Sequence, residues 1–117
     1  MYKLVIIIPP QQDAAALHEQ WPHFLHVAES MPGLVREVTV RPHAHIYGAY
    51  WVEMIHELYF DTLKTLEAAL LSPAGQAAGG LLQEICHHRV TLFIAEHYEN
   101  ELVHIQAAQN APVTGNE

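Results

Sequence analysis

The chain opens with an apolar run, YKLVIII at residues 2–8, that is rich in β-branched side chains and stops at two prolines. Proline cannot donate a hydrogen bond to a β-ladder, so the pattern predicts a first strand that ends before residue 9. Residues 13–31 then repeat apolar side chains at helical spacing behind a capping Asp13, which predicts a first helix. Pro22 lies inside this helix and is expected to kink or restart it.

Two alternating segments occupy the middle of the chain. LVREVTVRP at residues 34–42 and AYWVEMIHELYF at residues 49–60 both alternate with a period of two, which predicts the second and third strands. In the third strand the apolar face carries one polar residue, His56. The faces are Tyr50, Val52, Met54, His56, Leu58 and Phe60 on one side, and Trp51, Glu53, Ile55, Glu57 and Tyr59 on the other.

The rest of the chain predicts another helix and strand. Residues 61–72 have helical spacing behind a cap at Asp61 or Thr62, and a break at Pro73 and Gly75 precedes one or two more helical turns. RVTLFIAEHYE at residues 89–99 predicts the fourth strand. We expect one domain over residues 1–99, and a C-terminal extension over 100–117 with a short helix through Leu102 and Ile105.

The element order β-α-β-β-α-β indicates an α+β, ferredoxin-like fold, with a four-stranded antiparallel sheet and the helices on one face. The other face would carry Trp51, Ile55 and Tyr59, which are too apolar to remain wholly in water. A second copy packed sheet to sheet is the expected cover, so we predict a homodimer. Trp51, Glu53, Glu57 and Tyr59 would then lie in the interior between the subunits.

Composition narrows the class of partner. The net charge is −8, and the five basic residues are scattered, whereas nucleic-acid binding needs clustered Lys and Arg. The N-terminal apolar run is too short to span a membrane and lacks the features of a signal peptide. The single cysteine fits a reducing compartment. We therefore expect a cytoplasmic protein with neither nucleic acid nor membrane as partner.

Three segments of the chain resemble a known family. MPGLVRE, HELYFDTLKTLEAALLSPAGQAAG and HRVTLFIAEHYE are similar to the EthD family, over residues 2 to about 99, and ELYFDTLKTLEAALLSPAGQ is the most specific block. The family is named from a protein of ethyl tert-butyl ether degradation that acts beside an oxygenase system, and its members are often described as oxidoreductases. The resemblance implies a homodimer whose two sheets form a dimeric α/β barrel.

His56 is the sharpest candidate for chemistry, because a buried polar group needs a partner or a cavity. One alternative is a pocket between sheet and helices in which His56 acts as general acid or base, with His23 and His26 of the first helix approaching the same face. Trp21, Phe24 and Phe93 would hold a small apolar ligand there. The other alternative is a core histidine bonded to a backbone carbonyl or to Glu19.

Two further groups favour structural interpretations. His43 and His45 are two apart, but Pro42 and Gly48 bracket them in what we expect to be an exposed loop, and no third metal ligand is fixed by spacing, so no metal site is predicted. Glu53 and Glu57 could support proton transfer inside the barrel, although ion pairs with Arg36, Arg41 or Arg89 are the commoner explanation.

Two classes of function follow. No glycine-rich nucleotide fingerprint follows the first strand, and no cofactor is predicted. The first hypothesis is a cofactor-independent oxidoreductase, oxygenase or isomerase that acts on a small apolar molecule. The second is a non-catalytic protein that binds a small ligand or supports an oxygenase system. A ligand-sized cavity reaching His56 would favour the first hypothesis, and a filled space between sheet and helices would favour the second.

Overall fold

A computed structural model describes residues 1–102, and the expected helix through Leu102 and Ile105 lies largely outside these residues. The strands pair antiparallel in the order β2-β3-β1-β4, so the predicted ferredoxin-like α+β topology is confirmed. A complete third helix, α3, follows α2 in place of the one or two helical turns expected there. The elements are β1 (Tyr2–Ile8), α1 (Ala14–Ala28), β2 (Leu34–Val40), β3 (Met54–Phe60), α2 (Leu63–Leu71), α3 (Pro73–Cys86) and β4 (Thr91–Glu96).

The core lies between one face of the sheet and the helices. Alternate residues of β1 and β3 point into it, and they meet the buried stripes of α1 and α3, which recur at helical spacing. The fully buried side chains include Ile6, Ile8, Leu17, Phe24, Met54, His56, Leu58, Phe60, Leu66 and Leu82.

The opposite face of the sheet, which we call the open face, carries three cross-strand rows. The strand registers place Val40, Ile55, Ile7 and Thr91 in the first row, Val38, Glu57, Val5 and Phe93 in the second, and Arg36, Tyr59, Lys3 and Ala95 in the third. No helix of the described chain covers these rows. Two of the three rows are mainly apolar, which explains why this face needs another cover.

The third strand is shorter than predicted. It begins at Met54, and residues 50–53 form a loop, because β1 ends at Ile8 opposite Met54 and β2 ends at Val40 opposite Ile55. Only the Glu53 N–H continues the ladder, donating to the Ile8 carbonyl at 2.8 Å. The alternation of residues 50–53 therefore has no strand to pair with, and Trp51 and Glu53 lie outside the sheet rather than on its open face.

The two prolines expected to interrupt helical structure have different outcomes. Helix α1 runs unbroken through Pro22, which is exposed, so the helix does not restart there. The break expected at Pro73 is present, because α2 ends at Leu71 and Pro73 begins a separate helix, but this helix has 14 residues and is longer than the one or two turns expected. The first helical position suits proline because its missing N–H would be unpaired there in any case, and Ser72 caps the helix by accepting a hydrogen bond from the Gly75 N–H at 3.0 Å.

The junction between α2 and α3 depends on Gly75. A Cβ atom at this position would overlap the carbonyl oxygen of Ala69 and press on the backbone of Leu70. Gly80, five residues further along the same helix, has no atom within 4 Å of an added Cβ.

We therefore expect Gly75→Ala to destabilise the fold by about 1 to 3 kcal/mol, since the backbone must move to admit the methyl group. Gly80→Ala is the matched control, and it should stabilise the exposed side of α3 by up to about 1 kcal/mol through helix propensity. Chemical denaturation of the two variants measures both effects. Equal unfolding free energies would contradict the close packing at this junction.

Candidate active site

The imidazole of His56 lies at the centre of the candidate site. It is 0% exposed and is the one polar side chain in the buried core of residues 1–102. The edge of its ring meets Trp21, with ring centroids 5.3 Å apart, and Phe24, with centroids 6.3 Å apart. The structure thus brings together three of the residues that the sequence singles out.

Both ring nitrogens of His56 have partners on the neighbouring strand β2. Nδ1 lies 2.8 Å from the Thr39 hydroxyl, and Nε2 lies 3.3 Å from a carboxylate oxygen of Glu37. The expected partners, a backbone carbonyl or Glu19, are therefore wrong, and Glu19 is exposed on α1. Hydroxyl, imidazole and carboxylate form one hydrogen-bonded chain, which we call the Thr39–His56–Glu37 relay.

The relay reaches the surface at Thr39. An open cleft of about 360 Å³ is lined by Trp21, Leu25, Thr39 and Arg41, and we call it the Trp21 cleft. Thr39 is exposed, whereas the imidazole behind it is sealed from solvent. A molecule in the cleft would therefore meet the threonine hydroxyl directly and His56 only through that hydroxyl.

Two opposite pKa shifts define the charge state of the relay. Burial lowers the pKa of His56 to about 4, so the imidazole is neutral near pH 7. Burial, together with a hydrogen bond to Glu29 and repulsion from its charge, raises the pKa of Glu37 to about 7. Glu37 thus keeps its proton at mildly acidic pH, next to a neutral histidine.

The structure separates the other predicted histidines from His56. His23 and His26 lie on the exposed side of α1, because each stands two residues beyond a buried aromatic side chain, Trp21 or Phe24. Two helical residues turn the side chain by about 200°, which carries it to the opposite side of the helix. The expectation that His23 and His26 approach the apolar face is therefore wrong.

Phe93 also lies away from the relay. It pairs with Val5 and points to the open face, whereas Trp21 and Phe24 lie on the helix side of the sheet. Within residues 1–102, a part-open apolar pocket of about 50 Å³ lies between the sheet and α3, and His56 does not line it. The expected ligand-sized pocket in that space is thus replaced by the more superficial Trp21 cleft.

Tyr59 and Glu57 lie at the centre of a charged cluster on the open face. The Tyr59 hydroxyl donates to Glu57 at 2.8 Å, and the Lys3 ammonium bonds the same carboxylate at 2.7 Å. Although burial alone would raise the pKa of Glu57, these two donors hold it below its usual value. Arg36 lies over the Tyr59 ring, 4.1 Å from its centroid. The expected arginine partner of Glu57 is wrong, since Lys3 takes that place.

A second cleft, of about 420 Å³, is formed by the loop between β2 and β3, and we call it the loop cleft. His45 stacks on the half-exposed Trp51 here, with centroids 4.0 Å apart, and its Nε2 bonds the Gly48 carbonyl at 2.7 Å. Within residues 1–102, no three histidine, cysteine or acidic side chains gather as metal ligands. The cleft is lined by Pro42, His43, Ala44, His45, Tyr47, Tyr50, Trp51, Val52, Glu53 and Ile55.

Solved structures share this fold. An EthD family protein from Bacillus halodurans C-125 is 23% identical, with a TM-score of 0.78 over 84% of this chain and 99% of that chain. A dimeric ferredoxin-like protein of unknown function from Jannaschia sp. CCS1 is 21% identical, with a TM-score of 0.60 over 82% and 97%. SnoaB, a cofactor-independent oxygenase from Streptomyces nogalater, is 12% identical, with a TM-score of 0.59 over 86% and 94%.

The resemblance to the EthD family expected from the sequence is thus confirmed at the level of the fold. No protein-family model matches the chain, and no curated protein matches it. In the described part of the chain, no helix is both long enough and apolar enough to cross a membrane.

The two shifted groups of the relay should oppose each other in the pH dependence of stability. Folded His56 resists protonation below the unfolded value of 6.5, so its contribution is lost as pH falls from about 6.5 toward 4. Folded Glu37 binds its proton at about 7, above the unfolded value of 4.5, so its contribution grows over a similar range as pH falls.

We predict that Glu37→Gln removes this compensation. Between pH 6.5 and 4.5, the unfolding free energy of this variant should fall by about 2 kcal/mol more than that of the wild type. The reason is that proton binding by folded Glu37 no longer offsets the resistance of folded His56 to protonation. Denaturant titrations across this range measure the difference. Glu19→Gln makes the same charge change on exposed α1 and should follow the wild-type profile. Parallel profiles for Glu37→Gln and wild type would refute the opposed shifts.

Proposed function

We propose that the chain is an EthD-like, cofactor-independent enzyme that removes a proton from a small, mostly apolar molecule bound in the Trp21 cleft. The observation that supports this proposal most strongly is the Thr39–His56–Glu37 relay, whose exposed hydroxyl is backed by a buried base and a carboxylate. Oxygenation without a cofactor and isomerisation can both begin with such a proton transfer. The oxidoreductase and isomerase hypotheses therefore share this first step.

The proton transfer follows from the directions of the hydrogen bonds. Ionised Glu37 accepts from the Nε2–H of His56, which leaves Nδ1 unprotonated and able to accept the Thr39 proton. As the Thr39 oxygen takes a proton from the substrate, its own proton passes to Nδ1. The imidazolium that forms is paired with the Glu37 carboxylate at 3.3 Å, and the substrate is left as an anion.

The walls of the Trp21 cleft fit the substrate class. Trp21 and Leu25 offer apolar contact to a flat molecule, and Arg41 provides a positive charge at the same cleft. A guanidinium near the reacting atoms stabilises the negative charge that develops when a proton leaves. The buried aromatic rings around His56 exclude water from the base.

We propose further that two copies pack their open faces together as a homodimer. The open face has two mainly apolar rows, and the loop beside it exposes Ile46, Tyr47 and Tyr50 at 89%, 94% and 91%. The similar Jannaschia protein is described as dimeric. A partner sheet would cover these side chains and complete a barrel, with Glu57 and Tyr59 inside it.

A second candidate function is non-catalytic binding of an apolar molecule, either as a carrier or in support of an oxygenase system. The loop cleft favours it, because its walls combine the stacked His45 and Trp51 with Tyr47 and Tyr50. Such a protein would bind ligand without using the relay. His56 would then serve only the core.

We predict that the protein accelerates the ring opening of 5-nitrobenzisoxazole, a small planar probe that reacts by loss of one proton to a base. Thr39→Val and Glu37→Gln should each lower the rate about 100-fold or more, the usual contribution of a positioned base. The wild-type rate should rise with pH through about 7, as Glu37 ionises. Absorbance of the phenolate product follows the reaction, and no oxygen is consumed.

Thr91→Val is the matched control, because Thr91 is also an exposed strand threonine but lies on β4, away from the relay. It should retain the wild-type rate. If Thr39→Val and Thr91→Val react equally fast, the relay is not the base. Binding of the probe with no acceleration in any variant would favour the second candidate function.

The dimer is tested by Phe93→Glu, which places a carboxylate in the second row of the open face, on the far side of Val5 from Glu57. Burying that charge between two sheets is unfavourable, so we expect a monomer at micromolar concentration. Leu71→Glu makes the same change at an exposed residue of α2 and should leave the dimer intact. Sedimentation velocity distinguishes the species. A monomeric wild type, or a dimeric Phe93→Glu, would refute this interface.

A further inference from the structure

Arg41 lies beside Thr39 at the Trp21 cleft. Both side chains line this cleft, and both are exposed. Thr39 belongs to β2, and Arg41 directly follows Val40, the last residue of that strand. Residues two apart in an extended chain project to the same side, with their Cα atoms about 7 Å apart. A small molecule in the cleft can therefore contact the threonine hydroxyl and the guanidinium at the same time.

The guanidinium of Arg41 forms no ion pair with the described part of the chain. Lys3 and Arg36, by contrast, each bond a carboxylate there. Lys64 and Arg89 are also outside these ion pairs, but neither of them lines the Trp21 cleft or the loop cleft. Arg41 is thus the basic side chain at which a cleft and an unneutralised charge coincide.

The rest of the lining determines how much charge the cleft accepts. Trp21 is buried and Leu25 is half-buried, so both offer apolar surface, and no acidic side chain of the described chain lines the cleft. One guanidinium balances one negative charge. A phosphate monoester carries nearly two negative charges at pH 7 and would be only partly neutralised here. The lining therefore suits a monoanion with an apolar body.

The shape of the guanidinium selects among monoanions. The group is planar and holds five N–H donors in a rigid fork, which matches the two oxygens of a carboxylate. A carboxylate uses two of these donors, and the others remain available to the oxygen on which charge develops as a proton leaves. Arg41 can therefore hold the substrate and still stabilise the anion that forms in the proposed reaction.

We propose that the Trp21 cleft selects small, planar monocarboxylates, and that Arg41 is the residue that determines this specificity. Naming such a molecule as the substrate rests on the proposed function, whereas the anion site itself rests on the lining of the cleft. The carboxylate binds the guanidinium, and the apolar body lies against Leu25 and Trp21. The acidic C–H then faces the Thr39 hydroxyl, so the substrate is a mostly apolar carboxylic acid that loses a proton from carbon.

Two probes of nearly the same shape, 2-naphthoate and 2-naphthamide, test the anion site in the full-length protein. At pH 7.5 and low ionic strength, we expect the carboxylate to bind about five- to tenfold more tightly than the neutral amide, because it forms a charged, bidentate pair. NMR titrations of the backbone amides give both dissociation constants. The signals of Leu25 and Thr39 should shift, and those of Tyr47 and Tyr50 in the loop cleft should not. Equal affinities, or shifts confined to the loop cleft, would overturn the proposal.

Arg41→Gln and Arg89→Gln form the matched pair of variants. Each removes one positive charge from an exposed side chain, but Arg89 lines neither cleft. We expect Arg41→Gln to bind the two probes with equal affinity, and Arg89→Gln to retain the wild-type preference for the carboxylate. A preference that survives in Arg41→Gln would refute the role of this residue. An equal loss in both variants would do the same, since it would reflect only the net charge of the protein.

The result is independent of the proton-transfer test, because the binding of these probes involves no turnover. Ring opening of 5-nitrobenzisoxazole that depends on Thr39, without any preference for naphthoate, would refute the anion site and leave the relay intact. A preference for naphthoate that depends on Arg41, in a protein that does not accelerate ring opening, would support the anion site and refute the proposed proton transfer. Failure of the anion site and failure of the relay therefore give different results.

Discussion

The buried imidazole of His56 imposes the constraint on which the candidate site depends. A fully buried ring must have its polar atoms satisfied, because an unpaired buried group costs about 1 to 3 kcal/mol. Both partners, Thr39 and Glu37, come from β2, so the pairing of β2 with β3 is fixed by chemistry as well as by apolar packing. A one-residue slip would turn both side chains to the open face and leave the imidazole unpaired.

A β-bulge makes this arrangement available. Leu34 pairs with Phe60, but Arg36 pairs with Tyr59, so Val35 is an extra residue without a partner. Simple alternation from Leu34 would place residues 36, 38 and 40 toward the helices. The bulge reverses the alternation, and Glu37 and Thr39 point inward instead. One extra residue in the edge strand β2 thus turns its polar side chains, Glu37 and Thr39, toward the buried histidine.

The bulge also explains why sequence reasoning finds His56 but misses its partners. Alternation in β3 depends only on burial of one face, and it correctly identifies His56 as the polar residue in the core. The face to which Thr39 points depends on the bulge at Val35. The pairing of β2 with β3 determines this bulge, and the pattern within β2 alone does not reveal it. A threonine and a glutamate two residues apart, opposite a lone core histidine, are the signal that could have revealed the relay.

Elements whose ends depend on tertiary partners were harder to predict than elements whose ends carry local signals. Strand β1 ends at two prolines, and α1 begins after Asp13, whose side chain accepts from the Ala16 N–H at 3.0 Å. Both boundaries were correct. The start of β3 is set by where β1 and β2 stop, so the alternation of residues 50–53 was misleading. This shortened strand releases Trp51 and Glu53 into the loop cleft, which no periodicity could place.

In the proposed mechanism, one proton links the stability of the relay to its function. Glu37 binds its proton more tightly in the folded than in the unfolded chain, so its ionisation as pH rises through about 7 destabilises the fold. Yet ionised Glu37 is the stronger acceptor for the Nε2–H of His56, and its negative charge is what stabilises an imidazolium. The protonation state that supports proton transfer is therefore the less stable one. In the proposed proton transfer, a base that accepts and returns a proton near neutral pH needs a partner whose pKa lies in that range, as the pKa of Glu37 does.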